Sequence, residues 1–230
     1  NYTRTPRNSL RKIDSSRVLI TYEDSSGATT AKARIGSITG SSINLNSATD
    51  ISTEAIDSQS AVLTQNTFVT SWRNTSNSVF ATFVRMGNIN GSNITMVTTT
   101  EQLQAHRMIE PQSVIRISDN KVLIGIQVQN LLFDPSFDLS RLVMSTVGTV
   151  SGNTLTFNGF DVLLDDPMGS GITWQAVNIG NGRFALAYTD RQTNTDGMIG
   201  VRKIQDKNID LARGDNNSTS GVWTLTDDTN

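Results

Sequence analysis

An all-β chain of repeated antiparallel units is what this sequence predicts, and three observations carry the prediction. A hairpin pattern of one apolar residue, a polar turn and two alternating apolar residues returns four times. A short apolar strand segment stands upstream of each copy. Helical periodicity is nearly missing from the whole length. A repeat fixes architecture before any single residue is weighed, because each unit must bury its oily face on a neighbour.

The hairpin first reads Ile38-Thr39-Gly40-Ser41-Ser42-Ile43-Asn44-Leu45. It returns as Ile89-Asn90-Gly91-Ser92-Asn93-Ile94-Thr95-Met96 and as Val150-Ser151-Gly152-Asn153-Thr154-Leu155-Thr156-Phe157. The fourth copy, Ile204-Gln205-Asp206-Lys207-Asn208-Ile209-Asp210-Leu211, has Asp206 in place of glycine. The upstream strand spans 17–22, 67–72, 121–126 and 183–188. The successive steps from Tyr22 to Trp72, to Ile126 and to Tyr188 are 50, 54 and 62 residues. Each copy follows a polar pair suited to a tight turn: Ser15-Ser16, Gln65-Asn66, Asp119-Asn120 or Asn181-Gly182. Before each pair lies a first strand, at 10–13, 61–64, 114–117 and 174–179; third strands are expected at 31–38, 80–89, 141–150 and 198–204.

Each unit therefore reads strand, tight turn, apolar strand, variable loop, strand, glycine turn, strand. Four strands in about 50 residues is the content of one propeller blade. Consecutive apolar residues such as Val18-Leu19-Ile20 imply cover on both faces of the second strand. The alternating fourth strand implies one wetter face. The expected fold is a single β-propeller segment over 1–230 with four-stranded antiparallel blades near 9–57, 58–110, 111–169 and 170–215. Residues 216–230, with Val222, Trp223 and Leu225, open a fifth unit or supply an exchanged strand, which would be the seventeenth. The alternative is two β-sandwich domains, whose period would be nearer about 100 residues. One helix candidate, 99–108 with Leu103, Arg107 and Met108, competes with an ordinary connecting loop.

Bulk properties exclude several function classes. The chain has 230 residues and a formal net charge of −2, with 19 basic residues scattered along it. It lacks the basic footprint of a nucleic-acid or anionic-membrane binder. With no cysteine and one histidine, disulfides, thiolate metal sites and histidine metal clusters are excluded. No apolar run approaches the roughly 18 residues of a membrane helix. Beginning at Asn1 rather than Met, the chain offers no basis for a targeting assignment.

The units resemble the tandem β-propeller repeats of large secreted, cell-surface and phage tail or fibre proteins, through the Val-Leu-Ile-Thr-Tyr type strand and the Ile-x-Gly-x-x-Ile-x-Leu hairpin. That resemblance covers 10–211 and implies a structural or adhesive role. A second likeness is half a motif: Gly171-Ile172-Thr173-Trp174 resembles the end of the Asp-box of sialidase-like propellers. Pro167 and Gly169 stand where that box needs Ser and Asp, so it is read as a turn.

Candidate chemistry is sparse. His106 is the one possible triad base, and no nucleophile-elbow pattern surrounds a serine. Glycoside hydrolysis would need two facing carboxylates; Glu23, Asp24 and Asp190, or the pair Asp165 and Asp166, are the candidates, with solvated turn residues as the plainer reading. Arg34, Arg85 and Arg202 stand near corresponding third-strand positions and are expected to point outward beside polar neighbours. Asp190, Asn194 and Asp196-Gly197 have oxygen ligands at alternate spacing but lack the full calcium-loop pattern. Arg213-Gly214-Asp215 is an adhesion-type tripeptide in an expected turn. Tyr22, Trp72 and Tyr188 would stack on sugars if exposed, although the end of an apolar strand favours burial. Sequons at Asn1, Asn74, Asn90, Asn93, Asn216 and Asn217 fall in expected turns or termini; Asn74, Asn90 and Asn93 are the first choices.

These readings give a non-enzymatic, cofactor-free structural segment of a larger extracellular, cell-surface or virion protein. Its partners would be further copies or other domains of a parent chain. A carbohydrate-binding propeller and a glycoside hydrolase or sialidase relative are the alternatives.

Overall fold

The computed structural model describes residues 8–24, 30–74, 81–103, 109–129, 141–159, 161–166, 174–190, 196–204 and 209–210. They form an all-β fold of four antiparallel sheets in chain order. The first sheet holds β1 (Ser9–Lys12), β2 (Arg17–Asp24), β3 (Thr30–Thr39), β4 (Ser42–Leu45) and β5 (Thr49–Ser52). The second holds β6 (Ala55–Thr64), β7 (Thr67–Asn74), β8 (Thr82–Asn90) and β9 (Asn93–Leu103). The third holds β10 (Ile109–Ser118), β11 (Lys121–Gln129), β12 (Arg141–Ser151), β13 (Thr154–Phe157) and β14 (Asp161–Asp166). The fourth holds β15 (Trp174–Gly180), β16 (Arg183–Asp190), β17 (Asp196–Ile204) and β18 (Ile209–Asp210). Within every sheet the first four strands lie side by side in sequence order, with β5 and β14 off that path.

The two extra strands are halves of one interrupted element. β5 pairs with β3 beyond β4, and β14 pairs with β12 beyond β13. In the second sheet β9 runs unbroken along β8, with a register shift between Arg85 and Gly87. The break in the other sheets follows Asn46 and Asn158, whose amides donate to Ile35 O (3.0 Å) and Val147 O (3.1 Å) at matching places. The sheet boundaries also differ from the sequence divisions: 57/58 falls inside β6 and 110/111 inside β10. No helix forms at 99–103, because those residues extend β9; 104–108 and the strand expected beyond 216 lie outside the described residues.

The hairpin turns behave as their glycines require. Gly40, Gly91 and Gly152 have φ of 60, 61 and 58°, a left-handed first turn position that glycine takes without a Cβ penalty. At the same end of the sheets, Ile38, Ile89 and Val150 donate their amides to Ser16 O, Asn66 O and Asn120 O. Three units thus close their β-turn ends with the same bond.

Packing has a direction. One core joins the first two sheets through Leu19, Ala33, Ile35 and Ile51 on one side and Phe68, Trp72 and Ile89 on the other. A second joins the next pair through Ala61, Leu63, Val69 and Met86 against Val114, Val122, Ile124 and Ile126. Alternate residues of β7 therefore serve different neighbours: Phe68 and Trp72 face the first sheet, Val69 the third. This is why residues 68–73 and 122–126 are buried in unbroken runs. In β2 only Leu19 and Thr21 are buried; Val18, Ile20 and Tyr22 on the other face are half-buried.

Candidate functional site

A buried polar cluster lies where the first sheet meets β6. Ser9 Oγ and Thr21 Oγ1 stand 3.0 and 3.3 Å from Ser60 Oγ. Arg11 Nε donates to Ser60 O at 2.7 Å, and burial draws its guanidinium down from the usual range. Thr21, Ser60 and Ser9 are buried, so their hydroxyls satisfy one another there.

Deeper along β6 the register shifts between Ile56 and Gln59, leaving Asp57 and Ser58 as a bulge opposite Trp72. Asp57 takes a φ of 57°, a conformation that aspartate tolerates better than most side chains. The bulge turns its amide to donate to Glu23 Oε1 across the sheet boundary. The Asp57 carboxylate is buried 3.7 Å from Arg73 Nε, itself nearly buried. Trp72 packs beside them with its ring 6.0 Å from Phe83 at 21°. Ser58 Oγ, Ser71 Oγ and Trp72 Nε1 are buried with no hydrogen-bond partner among the described residues. A carboxylate so enclosed and ion-paired cannot reach a substrate proton, which general acid–base work demands. The cluster's chemistry is positional: it ties the first sheet to the second in one register.

The residues singled out by sequence are dispersed. Glu23 is taken up by Asp57 N, and Asp24 by Lys32 Nζ at 2.7 Å. That hydrogen bond raises the Lys32 pKa, with Asp50 at 4.0 Å adding to it. The outward orientation expected for the arginines is corrected at Arg85; Arg34 stays on the outer face of β3, alternating with buried Ala33 and Ile35. Arg34 lies over the Tyr22 ring, 5.6 Å from its centroid. Arg85 donates to Val97 O and, across the sheet boundary, to Ile51 O at 2.9 Å. Nor do the three arginines correspond. Arg34 and Arg85 pair with Ile20 and Thr70, whereas Arg202 pairs with Phe184, the position of Gly36 and Gly87. Trp72 is buried in the core between the first two sheets, which removes it as a sugar-stacking surface. Tyr22 is half-buried. The backbone at Tyr188 pairs with Trp174 and Met198; its side chain is not among those described.

Asn90 and Asn93 are exposed and pair across the Gly91-Ser92 turn. Asn74 ends β7 half-buried, its amide donating to Ala81 O at 3.0 Å. Asp165 and Asp166 pair through β14 with Leu142 and Arg141, and Asp190 with Asp196. His106, Asn194, Arg213-Gly214-Asp215, Asn216 and Asn217 lie outside the described residues. Sequence reasoning passed over Asp57, Arg73 and Ser60; the available signal was an Asp, an Arg and a run of serines inside or beside apolar strands.

No protein-family model matches the chain, and no curated protein matches it. A crystal structure of a glycosyl hydrolase from Bacteroides ovatus is similar at a TM-score of 0.34 and 12% identity, over 86% of this chain and 83% of that one. Similarity at that level carries no functional inference.

Proposed function

We propose that the chain is a structural β-propeller segment of a larger extracellular or virion-associated protein, its sheets serving as blades and its end faces as points of assembly. The observation that carries this reading is the direction of packing. In both cores between sheets, the even-numbered face of one second strand (Phe68, Trp72; Val122, Ile124, Ile126) meets the preceding sheet. First strands do much of the joining: β6 touches β1 and β10, and β10 touches β15. Innermost strands grouped this way are what blades around an axis require.

The role needs no cofactor and no catalytic group; its partners are further copies or other domains of a parent chain. In a glycosylating source, one of Asn90 and Asn93 carries the glycan ahead of Asn74, because both project at an exposed turn. Light scattering on the purified chain over a wide concentration range, followed by negative-stain imaging, tests the assembly role. Growth of mass with concentration into regular particles is expected. A mass fixed at 25.0 kDa throughout would contradict it.

A further inference from the structure

We propose that the outer face of the first sheet is an interface for a second copy of this chain, which presents the outer face of its fourth sheet, head to tail. The proposal rests on the assembly reading and names its surface. Register positions allow the faces of different sheets to be compared residue by residue. Leu10 pairs with Ile20 as Val114 pairs with Ile124. Val114, with a preceding sheet to cover it, is 2% exposed; Leu10 is 59% exposed. Ile38 pairs with Ile43 and Gly36 with Leu45, as Ile89 pairs with Ile94 and Gly87 with Met96. Ile89 is buried, and Ile94 and Met96 pack on the core between the first two sheets. Ile43 and Leu45 are 53% and 54% exposed. The outer face of the first sheet thus repeats the side-chain types of a face that, one unit later, is covered.

The fourth sheet shows the reciprocal difference. Val177 pairs with Ala185 as Ala61 pairs with Val69 and Ile115 with Leu123. Ala61 and Ile115 have a following sheet over them and are 3% and 8% exposed; Val177 is 59% exposed. Ile179 on the same strand is also exposed. The two open faces are therefore of opposite kinds, and that pairing of kinds already joins the sheets inside the chain. A patch of one kind meeting a patch of the other makes a heterologous contact, which propagates or closes into a ring. Exposed apolar side chains grouped on one face, rather than scattered singly, mark association surfaces.

Sedimentation velocity on the 230-residue chain tests this with two variants, Leu45→Lys and Val177→Lys, each checked for unchanged circular dichroism. Both substitutions fall on exposed side chains, and each destroys one face only. The unchanged chain is expected to associate with rising concentration. Each variant alone is expected to associate at least tenfold more weakly. Mixing the two variants should give a one-to-one dimer and nothing larger, since one intact pair of faces remains. Dimerisation of Val177→Lys on its own would overturn the head-to-tail arrangement by showing the first sheet pairing with itself. Association of both variants as strong as that of the unchanged chain would overturn this interface while leaving the assembly role standing. An unchanged chain that stays monomeric would overturn both.

Discussion

Replacing Gly87 with alanine would place a methyl carbon 2.1 Å from Cε1 and 2.2 Å from Cζ of Phe68. Phe68 is fully buried in the core between the first two sheets, so its ring must retreat by more than an ångström into packed neighbours. Overpacking of this kind costs about 3 kcal/mol at the upper end of its range. Alanine in a strand recovers roughly 0.5–1 kcal/mol relative to glycine. The net destabilisation is about 2 kcal/mol, a fall of about 4–8 °C in Tm for a chain of this size. Gly36 holds the equivalent register position, but its added methyl would meet Ile43 Cγ2 at 2.9 Å and Val18 Cγ2 at 3.0 Å. Ile43 is exposed and free to turn away, so Gly36→Ala should change stability by no more than about 1 kcal/mol. Valine stands opposite glycine in the Val18–Gly36 and Val122–Gly148 pairs. In a Phe68→Val background, Gly87→Ala should therefore become milder, with a coupling of about 1–2 kcal/mol. Thermal and urea unfolding of the unchanged chain and these four variants measure this. Equal stability of Gly87→Ala and Gly36→Ala would refute the reasoning.

Other outcomes follow from the same structure. Arg73→Met should lower unfolding free energy by about 3–5 kcal/mol, since it takes a cation away from the buried Asp57 carboxylate; urea titration measures it. Gly91→Ala meets no atom within 4 Å, so its cost is the left-handed backbone alone, about 1–2 kcal/mol, and Gly91→Asn should cost less. Asp14 accepts the Ser16 amide and bonds to Arg17, which hold its pKa down to about 2 from 3.8. Because the folded pKa is depressed, that contribution is present above about 3.8 and is lost as pH falls towards 2. A carboxyl NMR titration should find the Asp14 midpoint near 2, and in Arg17→Gln it should move up.

Much of the fold was legible because each unit states its strands twice, once in local pattern and once by repetition. The second strands and the Gly40, Gly91 and Gly152 turns stand where the sequence put them. β5 and β14 were not legible: they follow a break at Asn46 and Asn158, and β5 has one apolar residue, Ile51, to signal its inward face. The candidate site was hidden for a different reason. Glu23, Asp57 and Arg73 meet only through a bulge and a contact between sheets, neither of which leaves a local periodicity. Trp72 was correctly favoured for burial by its place at the end of an apolar strand, and Arg85 was misjudged because its bond to Ile51 O crosses between units.

Stacking of first strands in successive sheets is open to one direct test. The chain has no cysteine, so Ser9→Cys with Ser60→Cys places the only two thiols where hydroxyl oxygens stand 3.0 Å apart, in β1 and β6. Oxidation of the folded double variant, with peptide mapping, should give an intramolecular disulfide joining residues 9 and 60 in nearly every molecule. Thiols that stay free under oxidant in the folded protein, or that bridge only between chains, would contradict the packing on which the whole reading stands.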